Sequence, residues 1–152
     1  MRISTTLKRA AAVGAVTVAL AAGVGGTANA AGRDGQDPIS SGCAADAITA
    51  RSVPLNADGI GQVGTIELRY SPSCRTVWAR VYSRGGNLWA NVVRQRDNQR
   101  EGCDRSSWDS GAGQYYCYTA MVDDANYKSY AVGNATDSSG QIGSHAGYTD
   151  SY

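Results

Sequence analysis

The chain has 152 residues with 14 basic and 13 acidic side chains, and three of the basic residues but no acidic residue lie within the first thirty positions. Without that segment the chain carries eleven basic and thirteen acidic side chains, a net charge of −2. A weakly acidic domain lacks the positive surface that attracts nucleic acids and anionic membranes, so neither is an expected partner. The remaining length suits one domain.

Residues 1–30 are predicted to form a secretory signal peptide. The basic residues Arg2, Lys8 and Arg9 precede an apolar run rich in alanine and valine, and Ala28-Asn29-Ala30 supplies the small residues of a cleavage site. The apolar run is too short for a stable membrane anchor. We therefore expect a secreted, extracellular protein that has no membrane attachment after cleavage.

Residues 31–41 are polar and contain glycine and proline, a composition typical of an extended, flexible N-terminal arm. A solvated tail is the simpler interpretation of this arm, and docking into a partner is the alternative. The residues that would contact such a partner are Arg33, Asp34, Asp37, Pro38 and Ile39. Residues 42–152 are expected to form a single β-domain.

The domain begins with two predicted strands. The stretch 46–55 favours a strand, with a short helix around 44–47 as the alternative. In 62–70, Ile66, Leu68 and Tyr70 alternate with polar residues, which is the period of a strand with one apolar face. Ser71-Pro72 then ends the strand, because proline has no N–H to donate to a neighbour.

Two further strands are predicted at 76–83 and 88–96. The first is apolar on both faces, as expected of a central strand. Gly85-Gly86-Asn87 separates the two strands and is typical of a hairpin turn. We therefore expect these strands to pair antiparallel around that turn.

A long polar loop is predicted at 97–113, followed by strands at 115–122, 128–134 and, more briefly, within 140–148. Short strands at regular spacing with turn signals indicate an all-β fold. The predicted architecture is a small antiparallel β-sandwich or a partly closed barrel with two disulfides.

Four cysteines in an exported chain predict two disulfides, and three pairings of Cys43, Cys74, Cys103 and Cys117 are open. A zinc site would need closely spaced ligands such as C-x₂-C, and this spacing does not occur in the sequence. We therefore expect neither a metal nor another cofactor.

One set of residues carries a resemblance to a known family. It comprises Gly42-Cys43, Asp46-Ala47, Glu67-Leu68-Arg69-Tyr70-Ser71-Pro72, Cys74 and Trp78-Ala79-Arg80. This pattern resembles the YjfA-like family of small secreted bacterial proteins and covers roughly residues 37–84. The resemblance makes Glu67, Arg69, Tyr70, Pro72, Trp78 and Arg80 a structural motif. It also implies a Cys43–Cys74 bridge, which leaves Cys103 to pair with Cys117.

The catalytic alternative is a small secreted hydrolase. Ser110, Asp123 or Asp137, and His145 follow the chain order of a hydrolase triad, but the G-x-S-x-G nucleophile elbow is absent from the sequence. Glu67 with Arg69 or Arg80 is interpreted as a cross-strand ion pair rather than a catalytic pair. The chain is therefore expected not to be an enzyme.

Nine tyrosines and three tryptophans without phenylalanine favour contact surfaces, since tyrosine combines apolar area with a polar tip. Trp108, Tyr115, Tyr116 and Tyr118 form the predicted contact patch, with packing inside a small domain as the alternative. Secreted proteins that resemble this family act as adaptor subunits of large toxin particles. We therefore expect a non-catalytic module that binds another secreted protein, with a glycan- or cell-wall-binding module as a further alternative.

Overall fold

The structure, a computed structural model, describes residues 32–143 and 146–152. Within these ranges the chain forms one short 3₁₀ helix and ten strands. The helix is Cys43–Asp46, and the strands are β1 (Ile48–Ala57), β2 (Gly61–Ser71), β3 (Thr76–Ser83), β4 (Leu88–Arg94), β5 (Arg100–Cys103), β6 (Ser107–Asp109), β7 (Gln114–Tyr118), β8 (Val122–Asp123), β9 (Ser129–Ala135) and β10 (Gly147–Tyr148). In these ranges no helix is long and apolar enough to cross a bilayer.

The strands form two antiparallel sheets that pack face to face. The first sheet has the order β1-β2-β3-β7-β6, and β8 pairs with β3 beside β7. The second sheet has the order β10-β9-β4-β5. The prediction of an all-β, antiparallel, two-disulfide domain is confirmed.

The core lies between the two sheets and is built around β3. Val77, Ala79 and Val81 of β3 point inward and are fully buried. Ile66 and Leu68 of β2 flank them on the same face. The second sheet contributes the buried residues Leu88, Ala90, Val92 and Ala131. Strand β3 is central, as predicted, with β2 on one side and β7 and β8 on the other.

The predicted hairpin between β3 and β4 is wrong. The two strands belong to different sheets, and the segment between them carries the chain from one sheet to the other. Both strands present apolar residues to the same core, so burial places them face to face rather than side by side. Gly85 is buried in this crossing, where a Cβ atom would lie 2.1 Å from the carbonyl oxygen of Asp137. A glycine is needed at position 85 because the backbone of residue 137 approaches it closely, and not because the chain makes a tight turn there.

The predicted loop 97–113 contains the edge strands β5 and β6. Their residues are exposed or half-buried, so the sequence shows no apolar alternation there. The pairing Cys103–Cys117, as the resemblance implied, ties β5 of the second sheet to β7 of the first. The other bridge, Cys43–Cys74, ties the 3₁₀ helix to the turn between β2 and β3. Closing loops of this length stabilises a domain by about 3–4 kcal/mol per bridge.

The expectation of a flexible arm does not hold for residues 32–41, which are fastened to the domain. The N–H of Gly35 donates to the carbonyl of Met121 at 2.9 Å, and the N–H of Met121 donates to the carbonyl of Gln36 at 2.9 Å. Pro38 is buried. The arm is therefore attached mainly through hydrogen bonds, which is compatible with its polar sequence.

The strongest attachment of the arm is the ion pair between Asp34 and Arg94. The buried Arg94 guanidinium donates to both carboxylate oxygens of Asp34, at 2.9 and 3.1 Å, and to Asp97 at 2.7 Å. The N–H of Asp123 also donates to Asp34 at 2.7 Å. The hydrogen bond from Arg94 lowers the pKa of Asp97 to about 2. Asp97 therefore stays ionised at neutral pH, and the ion pairs with Asp97 and Asp34 compensate the charge of the buried guanidinium.

We predict that Asp34→Asn lowers the free energy of unfolding by ~1–3 kcal/mol, since Arg94 loses a charged acceptor in a half-buried position. A chain that begins at Ser41 should be destabilised as well. Urea denaturation at pH 7 with the disulfides intact measures both. The exposed Asp150→Asn is the matched control; if Asp34→Asn unfolds at the same urea concentration as this control, the arm is not fastened in solution.

A second carboxyl, that of Asp124, is buried, and none of the described residues places a cation in direct contact with it. Burial raises its pKa to about 6, against the smaller lowering effect of the Ser129 hydroxyl, which donates to it at 2.6 Å. The folded state therefore holds a proton on this group between about pH 4 and pH 6 that the unfolded state has lost. The contribution of Asp124 to stability is present below pH 4 and is lost as the pH rises through 6.

We predict that Asp124→Asn stabilises the domain at pH 8, by about 1–2 kcal/mol after allowance for solvent screening, and has little effect at pH 4. The amide can still accept the Ser129 hydrogen bond and carries no charge to bury. Thermal unfolding of the variant and the wild type across this pH range measures the difference. An equal gain at both pH values, or a gain matched by the exposed control Asp104→Asn, contradicts the assignment.

Candidate functional site

A groove with a volume of about 510 Å³ lies on the outer face of the first sheet. It arises because the residues of β2, β3 and β7 that alternate with core residues point away from the second sheet. The N-terminal segment, residues 38–47, forms the wall on one side, and the turn between β6 and β7 forms the wall on the other. The lining residues are Pro38, Ile39, Ala44, Ala47, Arg69, Trp78, Arg80, Tyr82, Asp109, Ala112, Gln114, Tyr116 and Tyr118.

The floor of the groove contains the cross-strand ion pair expected from the sequence. Glu67 of β2 lies directly opposite Arg80 of β3. Arg80 donates through Nε at 2.8 Å, and its Nη2 lies 2.6 Å from the same carboxylate oxygen in an ion pair. The Glu67 side chain is only 9% exposed, while that of Arg80 is 38% exposed. The pair therefore anchors the carboxylate and leaves the guanidinium accessible.

A second guanidinium, that of Arg69, lies beside this pair. It donates to Thr49 Oγ1 and to the carbonyl of Ala47 at 3.2 Å. Its nearest carboxylate oxygen is on Glu67 at 3.9 Å. Burial and the nearby charge of Arg80 lower the pKa of Arg69. Two guanidiniums thus share one carboxylate on the floor of the groove.

Trp78 forms the apolar part of the floor, opposite Arg69 on the neighbouring strand. Although it points away from the main core, it is only 4% exposed. A second small core covers it, made with Cys43 and Met121. The surrounding residues Ala44, Ala47, Cys74 and Tyr118 complete that cluster.

The N-terminal wall of the groove is held by Asp37. Its Oδ1 accepts the N–H groups of Ile39 and Ser40 at 2.8 Å, and its Oδ2 accepts the Tyr118 hydroxyl at 3.2 Å. These hydrogen bonds, the one from Ser40 first, lower the pKa of Asp37. The turn leaves the Ile39 side chain 62% exposed at the rim.

Aromatic rings line the opposite side. The rings of Tyr116 and Tyr118 are nearly parallel, with 10° between their planes and 6.4 Å between their centres. The Arg80 guanidinium lies over the Tyr82 ring at 5.8 Å. At the far rim, Asp109 accepts the N–H groups of Gly111 and Ala112 and so holds the β6–β7 turn.

The four aromatic residues of the predicted contact patch do not lie together. Tyr116 and Tyr118 line the groove, but Tyr115 alternates with them and faces the other side of the sheet. Trp108 packs edge-on against Tyr115 at 4.8 Å and is 54% exposed. The patch is therefore divided between the two faces of the sheet.

The arm residues proposed as partner contacts are mostly engaged within the chain. Arg33 contacts the sulfur of Cys43 at 3.2 Å, and Asp34 is bound to Arg94. Pro38 and Ile39 line the groove, with Asp37 holding them in place. The partner-binding role of these five residues stays a prediction.

Part of the sequence motif lies at one end of the groove. Asp46 of the 3₁₀ helix accepts the Ser71 hydroxyl at 2.6 Å and the N–H of Ser73 at 2.8 Å, beside the Cys43–Cys74 bridge. These contacts position Ala44 and Ala47 in the wall. Tyr70 instead packs against Tyr152, at 5.0 Å between ring centres, and Pro72 is exposed in the turn.

Sequence reasoning treated Arg69, Trp78 and Arg80 as structural and did not single out Tyr82, Asp109 or Gln114. The period of two on β3, which places Trp78, Arg80 and Tyr82 on one face, was the available signal for Tyr82. The convergence of that face with β7 and with the N-terminal segment depends on pairings between distant parts of the chain.

The hydrolase alternative receives no geometric support from the described residues. Ser110 is exposed in the turn after β6, and Asp123 is buried beside the Arg94 cluster. Asp137 accepts hydrogen bonds from Ser139 and Gln141 within its own turn. His145 lies outside the described residues. Within residues 32–143 and 146–152, no group of three histidine, cysteine or acidic side chains is placed to hold a metal ion.

Two comparisons identify the family. The model described as "Protein of unknown function (DUF2690)" matches residues 31–132. The chain belongs to this family. The uncharacterized protein YjfA of Bacillus subtilis (strain 168) is 33% identical to it over 108 residues, which are 66% of this chain and 69% of that relative. The resemblance to YjfA-like proteins is confirmed. No solved structure matches the chain. The DUF2690 match includes every residue that lines the groove.

We predict that Trp78→Ala destabilises the domain by about 3–5 kcal/mol, because it empties the small core beneath the groove. Denaturant unfolding under non-reducing conditions measures the loss. The exposed Trp108→Ala serves as the matched control and should cost no more than about 1 kcal/mol. A loss at Trp78 as small as that at Trp108 shows that the N-terminal segment does not cover this ring in solution.

Proposed function

We propose that this DUF2690 protein is a secreted, non-catalytic protein-binding module that docks a partner in the groove. It acts as an adaptor or subunit of an extracellular, toxin-like complex. The observation that carries the proposal is the composition of the groove: tyrosines, an accessible arginine and an exposed isoleucine on a rigid sheet. Tyrosine and arginine dominate the energetic centres of protein interfaces.

Secretion is supported by the two disulfides and the predicted signal peptide. All four cysteines are bridged. Such bridges persist in oxidising compartments and are rare where thiols are kept reduced. They also suit an adaptor that has to keep its shape outside the cell.

The edges of the first sheet favour binding through the face rather than by strand addition. Edge strand β1 contains Pro54, which cannot donate an N–H, and its pairing with β2 is irregular at two places. The other edge strand, β6, has only three residues. Prolines, irregularities and short lengths are the means by which proteins prevent edge-to-edge pairing. A partner therefore finds its best surface in the groove.

The absence of catalytic activity is inferred from the residues that line the groove. In the described part of the chain, the lining holds neither a serine or cysteine nucleophile nor a histidine, and the nearby carboxylates of Glu67 and Asp37 are engaged by Arg80 and by the N-terminal turn. A nucleophile beside a base is the minimum for covalent hydrolysis. The adaptor role itself is proposed because small secreted proteins that resemble the YjfA-like family act as adaptor subunits of toxin particles.

A glycan-binding module is the second candidate, favoured by the parallel rings of Tyr116 and Tyr118 in an open groove. Aromatic rings with polar tips can pack against the apolar face of a sugar. The exposed Ile39 on the facing wall favours a protein partner instead.

We predict that Tyr116→Ala, alone or with Ile39→Ser, weakens partner capture roughly thirtyfold, the loss of about 2 kcal/mol expected at an interface centre. Tagged mature protein is incubated with host culture medium, captured partners are identified, and affinity for the purified partner is measured. Trp108→Ala and Tyr148→Ala, exposed aromatic residues outside the groove, are the controls. All variants are first matched by melting temperature.

Equal capture by groove variants and controls would refute docking in the groove. Binding to purified cell-wall polysaccharide that is lost in the Tyr116 variant, without protein capture, would establish the glycan-binding candidate instead.

A further inference from the structure

We infer that the groove binds a peptide segment of the partner that carries a carboxylate flanked by apolar side chains, with the carboxylate on Arg80. This inference rests on the proposed function, since it names the chemistry of the segment that the groove accepts. It depends on which hydrogen-bonding groups of the groove are already occupied.

The carboxylates around the groove are occupied by groups of the chain itself. Asp37 accepts two backbone N–H groups and the Tyr118 hydroxyl. Asp109 accepts the N–H groups of Gly111 and Ala112 through one oxygen. Glu67 is 9% exposed and is bound by Arg80. Most carboxylate oxygens around the groove therefore already accept hydrogen bonds that hold its walls and floor in place.

Donors are the groups left open. Arg80 uses only Nε and Nη2 for Glu67, and its Nη1 contacts no acceptor among the described residues. Within the same part of the chain, the hydroxyls of Tyr82 and Tyr116 and the amide of Gln114 have no hydrogen-bond partner. A ligand that supplies acceptors can bind all of these groups, whereas one that supplies only donors leaves Arg80 Nη1 without a partner, since a guanidinium cannot accept a hydrogen bond.

The charge of the floor favours an anionic acceptor over a neutral one. Arg69 and Arg80 share the single carboxylate of Glu67, so this cluster on the floor has one more positive than negative charge, while Asp37 and Asp109 lie in the wall and at the far rim. The partly buried position strengthens a charge-assisted hydrogen bond relative to one in open water. A ligand carboxylate that binds Nη1 of Arg80 balances the second positive charge and does not displace Glu67.

The walls favour a peptide over an acidic sugar. Ile39 is 62% exposed at the rim, and Ala44, Ala47 and Ala112 line the sides. Apolar side chains on either side of the ligand's acidic residue would cover Ile39 on one wall and the tyrosine rings on the other. A volume of about 510 Å³ lies within the range of clefts that enclose a small ligand, enough for a few side chains.

The test uses isotopically labelled mature protein and two capped peptides, Ac-Ala-Leu-Glu-Leu-Ala-NH₂ and its glutamine counterpart. Resonances of the Arg80 Nε–H and of the Tyr82 and Tyr116 rings are followed during each titration up to about 10 mM. The glutamate peptide is expected to shift these resonances and to bind at least tenfold more tightly than the glutamine peptide. Glucuronic acid is titrated in a third arm.

Arg80→Lys keeps a charge beside Glu67 and removes the open Nη1 group. It should abolish the tenfold preference for glutamate and leave the weak binding of the glutamine peptide unchanged. Tyr116→Phe, which removes only the hydroxyl, provides a second variant if Arg80→Lys does not fold. Arg100→Lys, an exposed arginine on the second sheet, is the matched control.

Equal binding of the two peptides, shifts that map outside the groove, or no binding by either overturns the inference. Stronger binding of glucuronic acid than of the glutamate peptide overturns it in favour of an acidic sugar. Partner capture that depends on Tyr116 but not on a carboxylate leaves the proposed function standing without this inference. If a carboxylate binds at Arg80 but partner capture does not depend on the groove, the inference about carboxylate binding stands and the proposed function fails.

Discussion

The outer face of β3 has to be covered, and the N-terminal segment covers it. Trp78 lies on the side of the first sheet that faces away from the sandwich core, yet it is as buried as a core residue. The Cys43–Cys74 bridge, the 3₁₀ helix and the arm together make this possible. Without that cover, a large apolar ring would lie on the sheet surface, and one wall of the groove would be missing.

Two arginine residues, the buried Arg94 and the accessible Arg80, show how the domain separates a structural from a binding role. Arg94 is surrounded by Asp34, Asp97 and the carbonyl of Asp123, so its charge is fully compensated and serves only to fasten the arm. Arg80 has one carboxylate, shared with Arg69, and remains accessible. The guanidinium of Arg94 has a structural role and that of Arg80 keeps a free donor, because Arg94 has two neighbouring carboxylates and Arg80 shares one.

Membership of DUF2690 and the similarity to YjfA connect the fold to other chains. The matched region begins at the arm and extends through β3, β7 and most of the second sheet. The groove therefore lies entirely within the part of the chain that the family match covers.

The sequence by itself determined the all-β class and the positions of the main strands. Two local patterns predict strands independently of the rest of the chain: the period-two alternation around Ile66, Leu68 and Tyr70, and the apolar run at 76–83. The disulfide pairing followed from the resemblance. Local pattern was also enough to expect Glu67 to pair with Arg69 or Arg80, and the structure places Arg80 directly opposite it on the adjacent strand.

Only the tertiary structure decided which strands share a sheet and which side chains share a surface. The Gly85-Gly86 segment has the composition of a hairpin turn, but burial of both strands against one core sends β4 into the other sheet. The arm is polar in sequence, and its attachment depends on Arg94, sixty positions further along the chain. Tyr116, Arg80 and Ile39 line one groove because distant segments of the chain pair with one another. No local pattern encodes such pairings, because they depend on which apolar faces the whole chain can bury together.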